Sequence, residues 1–169
     1  GAKFQNTVAE SGIKTVSYMA RTIMLHAAIR WPEVYTSELW PFAMQYACHI
    51  YNNIPRQEDG FSPEERFLGD KRESESVLQS VLPWGCPAYV LHPRLQDDQT
   101  LPKWKPRSRR GQFVGVSDCH CQRTVRLIRN LYTQRVSPQY HCVMDPNFST
   151  VKADSGDPPE EWEELLLHS

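Results

Sequence analysis

The hydrophobic period changes once along these 169 residues, near residues 70–83, and that change constrains the fold more than any other feature. Before it, the chain repeats every three or four residues. In TVAESGIKTVSYMARTIMLHAAIRW, the apolar residues Val8, Ile13, Val16, Met19, Ala20, Ile23, Met24 and Ala27 form one helical stripe. Gly12 costs that helix about 1 kcal/mol relative to Ala, and Pro32 ends it by pushing its predecessor out of the α region. A second helix is expected from Val34 to Tyr51, with Leu39, Phe42, Ala43, Tyr46, Ala47 and Ile50 on one face. Pro41 must sit at a kink or restart, and Pro55 closes the segment. Ser62-Pro63-Glu64-Glu65 supplies an N-cap, a proline at the first helical position and an acid at the third, with Gly69 placed as C-cap.

After it, the apolar runs shorten and become β-branched and aromatic. AYVLH (88–92), GQFVGV (111–116), RTVRLI (123–128) and QYHCVM (139–144) read as strands at the spacing of a small barrel or sandwich, with Asn130 to Thr133 as a hairpin connection. Beyond Thr150 the chain is acidic and broken by proline, with EEWEELLL as a short helix. The expected class is α+β: helices over 1–80, a β module over 84–150 and an acidic tail over 151–169. Helices 1–80 alone lack strands to cover their stripes, so this half is expected to be poorly packed or associated with partners.

Composition narrows the class without naming a function. At 40% hydrophobic and 23% charged, the chain lies in the globular range. No apolar run approaches the roughly 18 residues of a membrane span, and the N-terminus has no apolar signal segment. The first residue is not Met, which points to a start inside a longer chain. Five cysteines are odd in number and too sparse for a disulfide scaffold, so a reducing, intracellular setting is expected. The net charge of -1 hides segregation. Residues 103–135 carry nine basic side chains against one acid, a net +8; residues 152–169 carry one lysine against six acids, a net -5. One part is therefore suited to a polyanion while others stay solvated.

Three groups of residues carry candidate chemistry. Glu10 with Lys14 one turn later reads either as a solvated i,i+4 ion pair or as a metal-binding carboxylate. The metal reading needs a second acid, and nothing in the sequence announces one. Cys119-His120-Cys121 is too tightly spaced to converge on one ion, and His141-Cys142 fits no zinc framework with it. These read as turn and strand residues, and an enzyme built on Cys119, His120 or His141 lacks an orienting acid. KWKPRSRRGQF interleaves Lys103, Lys105, Arg107, Arg109 and Arg110 with Trp104 and Phe113, the composition of a nucleic-acid backbone contact. Its alternative is a solvated arm that pairs with the chain's own acids.

The order of these segments resembles the integrase of copia-type LTR retrotransposons. QNTVAESGIKTVSYMARTIMLHA (5–27), LWPFAMQYACHIYNNIP (39–55), FSPEERFLGDK (61–71), WGCPAYVLHP (84–93), KPRSRRGQFVGVS (105–117) and RTVRLIRNLYTQRVSPQYHCVMDPNF (123–148) are similar, in unbroken order, to successive segments of that family. The resemblance implies that 1–80 is the C-terminal end of an RNase H-like catalytic core, 84–150 an SH3-like β-barrel, and the acidic tail a spacer toward reverse transcriptase. Glu10 then matches the glutamate of the D-D-E triad that binds Mg²⁺, and Lys14 a residue facing DNA phosphates. The family mechanism is two-metal phosphoryl transfer, by which DNA 3′ ends are processed and joined to a target.

Departures from the pattern matter equally. Both triad aspartates and the zinc-binding region would lie upstream of residue 1. Thr7 and Ser11-Gly12 replace a glycine and an arginine-polar pair of the family. One carboxylate does not hold two divalent ions, so the expectation is a fragment inactive alone, without a bound cofactor. It would retain sequence-independent DNA binding through Lys103, Trp104, Lys105, Arg107, Arg109 and Arg110, with Lys14. A nuclear location and other integrase or reverse transcriptase segments as partners follow from the same resemblance. The competing expectation is a domesticated, non-catalytic protein-interaction module.

Overall fold

The computed structural model of the chain describes residues 6–69, 74–117, 119 and 125–151. Helix α1 (Thr7–Arg30) follows the expected stripe, with Val16, Ala20, Met24, Ala27 and Ala28 buried. It ends where Pro32 requires: Trp31 leaves the helical region at φ -147°, and its N–H still bonds Ala27 O at 2.8 Å. The first third of the stripe is not covered, since Val8 is 84% exposed and Ile13 65%.

The second helix starts later than the apolar pattern suggests. Two 3₁₀ turns, Pro32–Val34 and Ser37–Leu39, precede α2 (Trp40–Asn53). Pro41 inside a longer helix would clash with the carbonyl four residues back; starting at Trp40 puts it in the first turn, where its missing N–H has no intrahelical partner to lose. Helix α3 (Pro63–Leu68) carries the full capping box: Ser62 Oγ accepts from Glu65 N at 3.2 Å, and Ser62 N donates to Glu65 Oε2 at 2.8 Å. Gly69 closes it at φ +69°. A further short helix, α4 (Ser74–Gln79), was not expected from the pattern.

Five strands make one antiparallel sheet: β1 (Pro87–Leu91), β2 (Ser108–Val116), β3 (Arg126–Asn130), β4 (Val136–Gln139) and β5 (Cys142–Met144). The order is β4-β3-β2-β1-β5, a four-strand meander β1-β2-β3-β4 followed by a fifth strand, β5, that returns to pair with β1. The run QYHCVM, expected as one strand, is divided at Tyr140–His141. Its first residue ends β4 beside β3, and its last three form β5 on the opposite edge. Pro138 is tolerated because β4 is an edge strand. RTVRLI is displaced as well: β3 begins at Arg126 and runs on to Asn130, while 123 and 124 lie outside the described residues. The hairpin connection stands, with Asn130 Oδ1 accepting from Tyr132 N and Thr133 N at 2.9 and 3.2 Å. A four-residue helix, α5 (Pro93–Gln96), follows β1.

The helical half is not poorly packed. One continuous core joins Val16, Met24 and Trp31 of the α1 region, Ala43 and Tyr46 of α2, and Trp84, Phe113, Ile128 and Phe148 of the β half. The strands after Trp84 supply the cover that helices 1–80 were expected to lack. Specific bonds fix the contact. Tyr46 Oη donates to Leu82 O at 2.8 Å and accepts from Leu82 N at 3.0 Å, while its ring meets Phe113 edge-on at 5.4 Å. Burial outweighs these bonds and pushes the Tyr46 phenol up to about 12. Trp84 Nε1 donates to Val114 O at 3.0 Å. Gly85, at φ +81°, lies so close to α1 that a Cβ there would fall 2.4 Å from Ala27 Cβ. Residues 152–169, including the expected helix EEWEELLL, lie outside the described residues.

Candidate nucleic-acid interface

The basic arm occupies the connection between α5 and β2 and the first part of that strand. His92 N bonds Arg107 O at 2.8 Å and closes the base of the connection, while Lys105 N bonds Pro102 O at 3.0 Å within it. The loop is therefore pinned where it leaves the sheet, and its tip holds a turn. Lys103, Lys105 and Arg107 are exposed on it, and Trp104 is 94% exposed. An indole costs free energy in water unless something covers it, and three cations beside it suit a ligand with both a charged backbone and flat bases. Among the described residues, none of the five arm cations makes an ion pair, whereas Arg66 pairs with Glu58 and Asp59.

Arg109 and Arg110 differ from the other three. Arg109 stands opposite Val90 in the β1–β2 ladder and is half-buried, with Nη1 buried and no hydrogen-bond partner among the described residues. Arg110 places its guanidinium 5.4 Å from the ring centroid of Trp31, which is itself 1% exposed. A cation over an indole face contributes roughly 0.5–2 kcal/mol, so Arg110 closes the core as well as offering charge to solvent. Trp31 is the partner the sequence did not announce; only its place just after α1 and before Pro32 marks it.

The basic block of residues 103–135 is divided further by structure. Arg129 is buried: its Nη1 donates to Val34 O at 2.9 Å and to Gln112 Oε1 at 3.1 Å, and its Nη2 donates to Gln134 Oε1. Burial lowers its pKa, opposed by Glu38. This arginine staples the segment before α2 to the sheet and is not available to a ligand. Arg123 lies outside the described residues.

Glu10 sits exposed in the first turn of α1, where a carboxylate complements the helix dipole. Lys14 turns to Tyr18, its Nζ 5.8 Å from the ring centroid, and no ion pair joins it to Glu10 among the described residues. The expected Glu10–Lys14 pair is therefore corrected to a Lys14–Tyr18 contact. No group of three or more His, Cys, Asp or Glu side chains assembles around Glu10 or elsewhere among the described residues. A two-Mg²⁺ centre does not fit one isolated carboxylate. At 1.5 Å per residue, the 20 residues from Glu10 to Arg30 separate Glu10 from the Trp31–Arg110 contact by about 30 Å. Glu10 and Lys14 therefore lie toward the opposite end of α1 from the Arg110 end of the arm.

Two of the cysteines are held as thiols by their surroundings. Burial pushes the Cys86 thiol up to about 12, with the Asp145 charge adding to it, and burial raises Cys142 as well. Cys119 is exposed, while His120 and Cys121 lie outside the described residues. No described helix is long and apolar enough to cross a membrane. No protein-family model, curated protein or solved structure matches the chain.

Proposed function

We propose that this chain binds nucleic acid through the phosphate backbone, using the arm from Lys103 to Arg110, and that it is a non-catalytic piece similar to the C-terminal end of a copia-type integrase. The observation that carries the reading is the arm itself. Lys103, Lys105 and Arg107 surround a Trp104 that is 94% exposed, with no acid between 103 and 110. Cations track phosphates without reading sequence, and the indole stacks on any base. The SH3-like reading of the β half is supported by the meander β1-β2-β3-β4 and the return of β5 to β1. A nuclear site of action, and partners among other integrase or reverse transcriptase segments, rest on the sequence resemblance alone.

A protein-interaction module is the second reading, favoured by Phe67 of α3, which is 89% exposed beside a 44% exposed Leu68. Fluorescence anisotropy with two labelled duplexes of unrelated sequence and one single strand separates the two. Backbone binding predicts affinities for the duplexes within about threefold of each other. Trp104→Ala should weaken the single strand by roughly 1–3 kcal/mol. Absence of binding to all three probes at low salt refutes the nucleic-acid reading and leaves the interaction module.

A further inference from the structure

We propose that Tyr132, in the β3–β4 hairpin, joins Trp104 in a two-ring platform for one unpaired nucleic-acid strand, which the chain holds in preference to duplex. This rests on the phosphate-binding role of the Lys103–Arg110 arm. Strand register carries the placement. Leu91 stands opposite Ser108 and Gly111 opposite Asn130, so β2 begins and β3 ends at the same end of the sheet. Asn130 is the last residue of β3, while β2 has three residues, Ser108–Arg110, before its first partner on β3. The hairpin 131–135 therefore stands at the sheet end from which the arm emerges. The chain path from Trp104 to Tyr132 through the Gly111–Asn130 pair measures at most about 40 Å. A strand of about 12 nucleotides, at about 3.4 Å each, covers that span.

Tyr132 is 95% exposed, yet the backbone that carries it is fixed. Asn130 Oδ1 accepts from Tyr132 N and Thr133 N, and Asn130 O accepts from Gln134 N at 2.8 Å. Gln134 Nε2 donates to Leu131 O at 2.6 Å, and its Oε1 accepts from the buried Arg129. A ring with two rotatable bonds on a fixed turn loses little conformational freedom on binding. Charge suits the same ligand. Lys103, Lys105 and Arg107 on one loop and Arg135 on the other are exposed, and no ion pair engages them among the described residues. Neither 99–117 nor 119–144 contains an acid, so a phosphate backbone joining the two rings meets no like charge from these segments. Bases inside a duplex are stacked on each other and offer no face to a side chain, so the rings add affinity only for an unpaired strand.

Fluorescence anisotropy on the full chain tests the platform with three labelled probes of about 12 nucleotides or base pairs: oligothymidylate, oligouridylate and a duplex. At about 150 mM salt, oligothymidylate should bind at least fivefold more tightly than the duplex. Tyr132→Ala should weaken oligothymidylate by roughly fivefold or more and the duplex by less than twofold, at unchanged thermal stability. Tyr132→Trp should keep the single-strand affinity, and Tyr132→Leu, apolar without a flat ring, should lose as much as Tyr132→Ala. Trp104→Ala and Tyr132→Ala should multiply in the double variant, because the rings sit on separate loops. Oligouridylate should match oligothymidylate within about threefold, since stacking and phosphate contacts do not read the sugar; a gap above about tenfold would require 2′-hydroxyl contacts and overturn the platform as described. Equal loss on single strand and duplex in Tyr132→Ala, or full affinity in Tyr132→Leu, overturns it as well. If all probes bind and Tyr132→Ala changes none of them, the platform falls and the phosphate-binding role stands. If no probe binds, both fall together.

Discussion

Replacing Gly85 by Ala should cost about 2–5 kcal/mol, because two penalties coincide at one residue. Its φ of +81° is the left-handed region, where an L side chain costs roughly 1–2 kcal/mol. The new methyl would also stand 2.4 Å from Ala27 Cβ, 3.6 Å from Ala27 Cα and 3.7 Å from Gln112 Nε2. An alanine methyl has no rotamer to escape into, so α1 itself must recede by about 1 Å to restore van der Waals contact. Overpacking of this kind costs about 1–3 kcal/mol. Urea unfolding followed by tryptophan fluorescence reads the change, since Trp31 and Trp84 are buried at 1% and 2% exposure. With a slope of about 2 kcal/mol per molar, the midpoint should fall by about 1–2.5 M. Gly60→Ala is the control, with φ +72° and nothing within 4 Å of its Cβ; it should lose only the conformational part. Ala27→Gly in the Gly85→Ala background should return part of the loss, offset by about 1 kcal/mol for glycine inside a helix. Equal costs for Gly85→Ala and Gly60→Ala would refute the claim that α1 presses on the turn before β1.

Two other outcomes follow from the same geometry. The Asp145 carboxyl is raised by burial, but bonds from Thr150 Oγ1, Thr150 N and Ser149 Oγ outweigh this and bring it down to about 2. A depressed carboxyl stabilises the fold above its unfolded value near 3.9 and loses that contribution as pH falls toward 2; acid titration of thermal stability should lose this part in Asp145→Asn, and superimposable curves would contradict it. Purified chain should show no Mg²⁺- or Mn²⁺-dependent strand transfer or 3′-end cleavage, and Glu10→Gln should change nothing; turnover abolished by Glu10→Gln would reveal a metal centre assembled around that carboxylate.

Local signals were legible and tertiary ones were not. The Ser62 capping box and the Gly69 C-cap need only residues within one turn, so spacing alone placed α3. Pro41 marked a break in the second helix, but the two 3₁₀ turns before it depend on how Trp31 and Leu39 enter the core. QYHCVM looks like one strand because its composition is uniform. It is divided because β4 and β5 belong to opposite edges of the sheet, which no local pattern encodes. The basic block posed the same difficulty. Arg107 and Arg129 are equal as charges in the sequence, yet one is exposed and the other is bonded to Val34, Gln112 and Gln134. Only partners distant in sequence separate a ligand-facing cation from a structural one. The helical stripe was visible, but its cover by β-module strands was not, because period says which face is apolar and not what meets it.

A salt titration of duplex affinity, for the wild-type chain and for Lys103→Gln/Lys105→Gln/Arg107→Gln, tests the phosphate-binding role most directly. These three cations are exposed and free of ion pairs among the described residues, so their loss leaves the core intact. Each phosphate neutralised contributes about -0.9 to the slope of log affinity against log salt, so five contacts give about -4.5 and two about -2. The account predicts that the triple variant flattens the slope by roughly 2.7, at unchanged thermal stability. Identical slopes for the two proteins would contradict it.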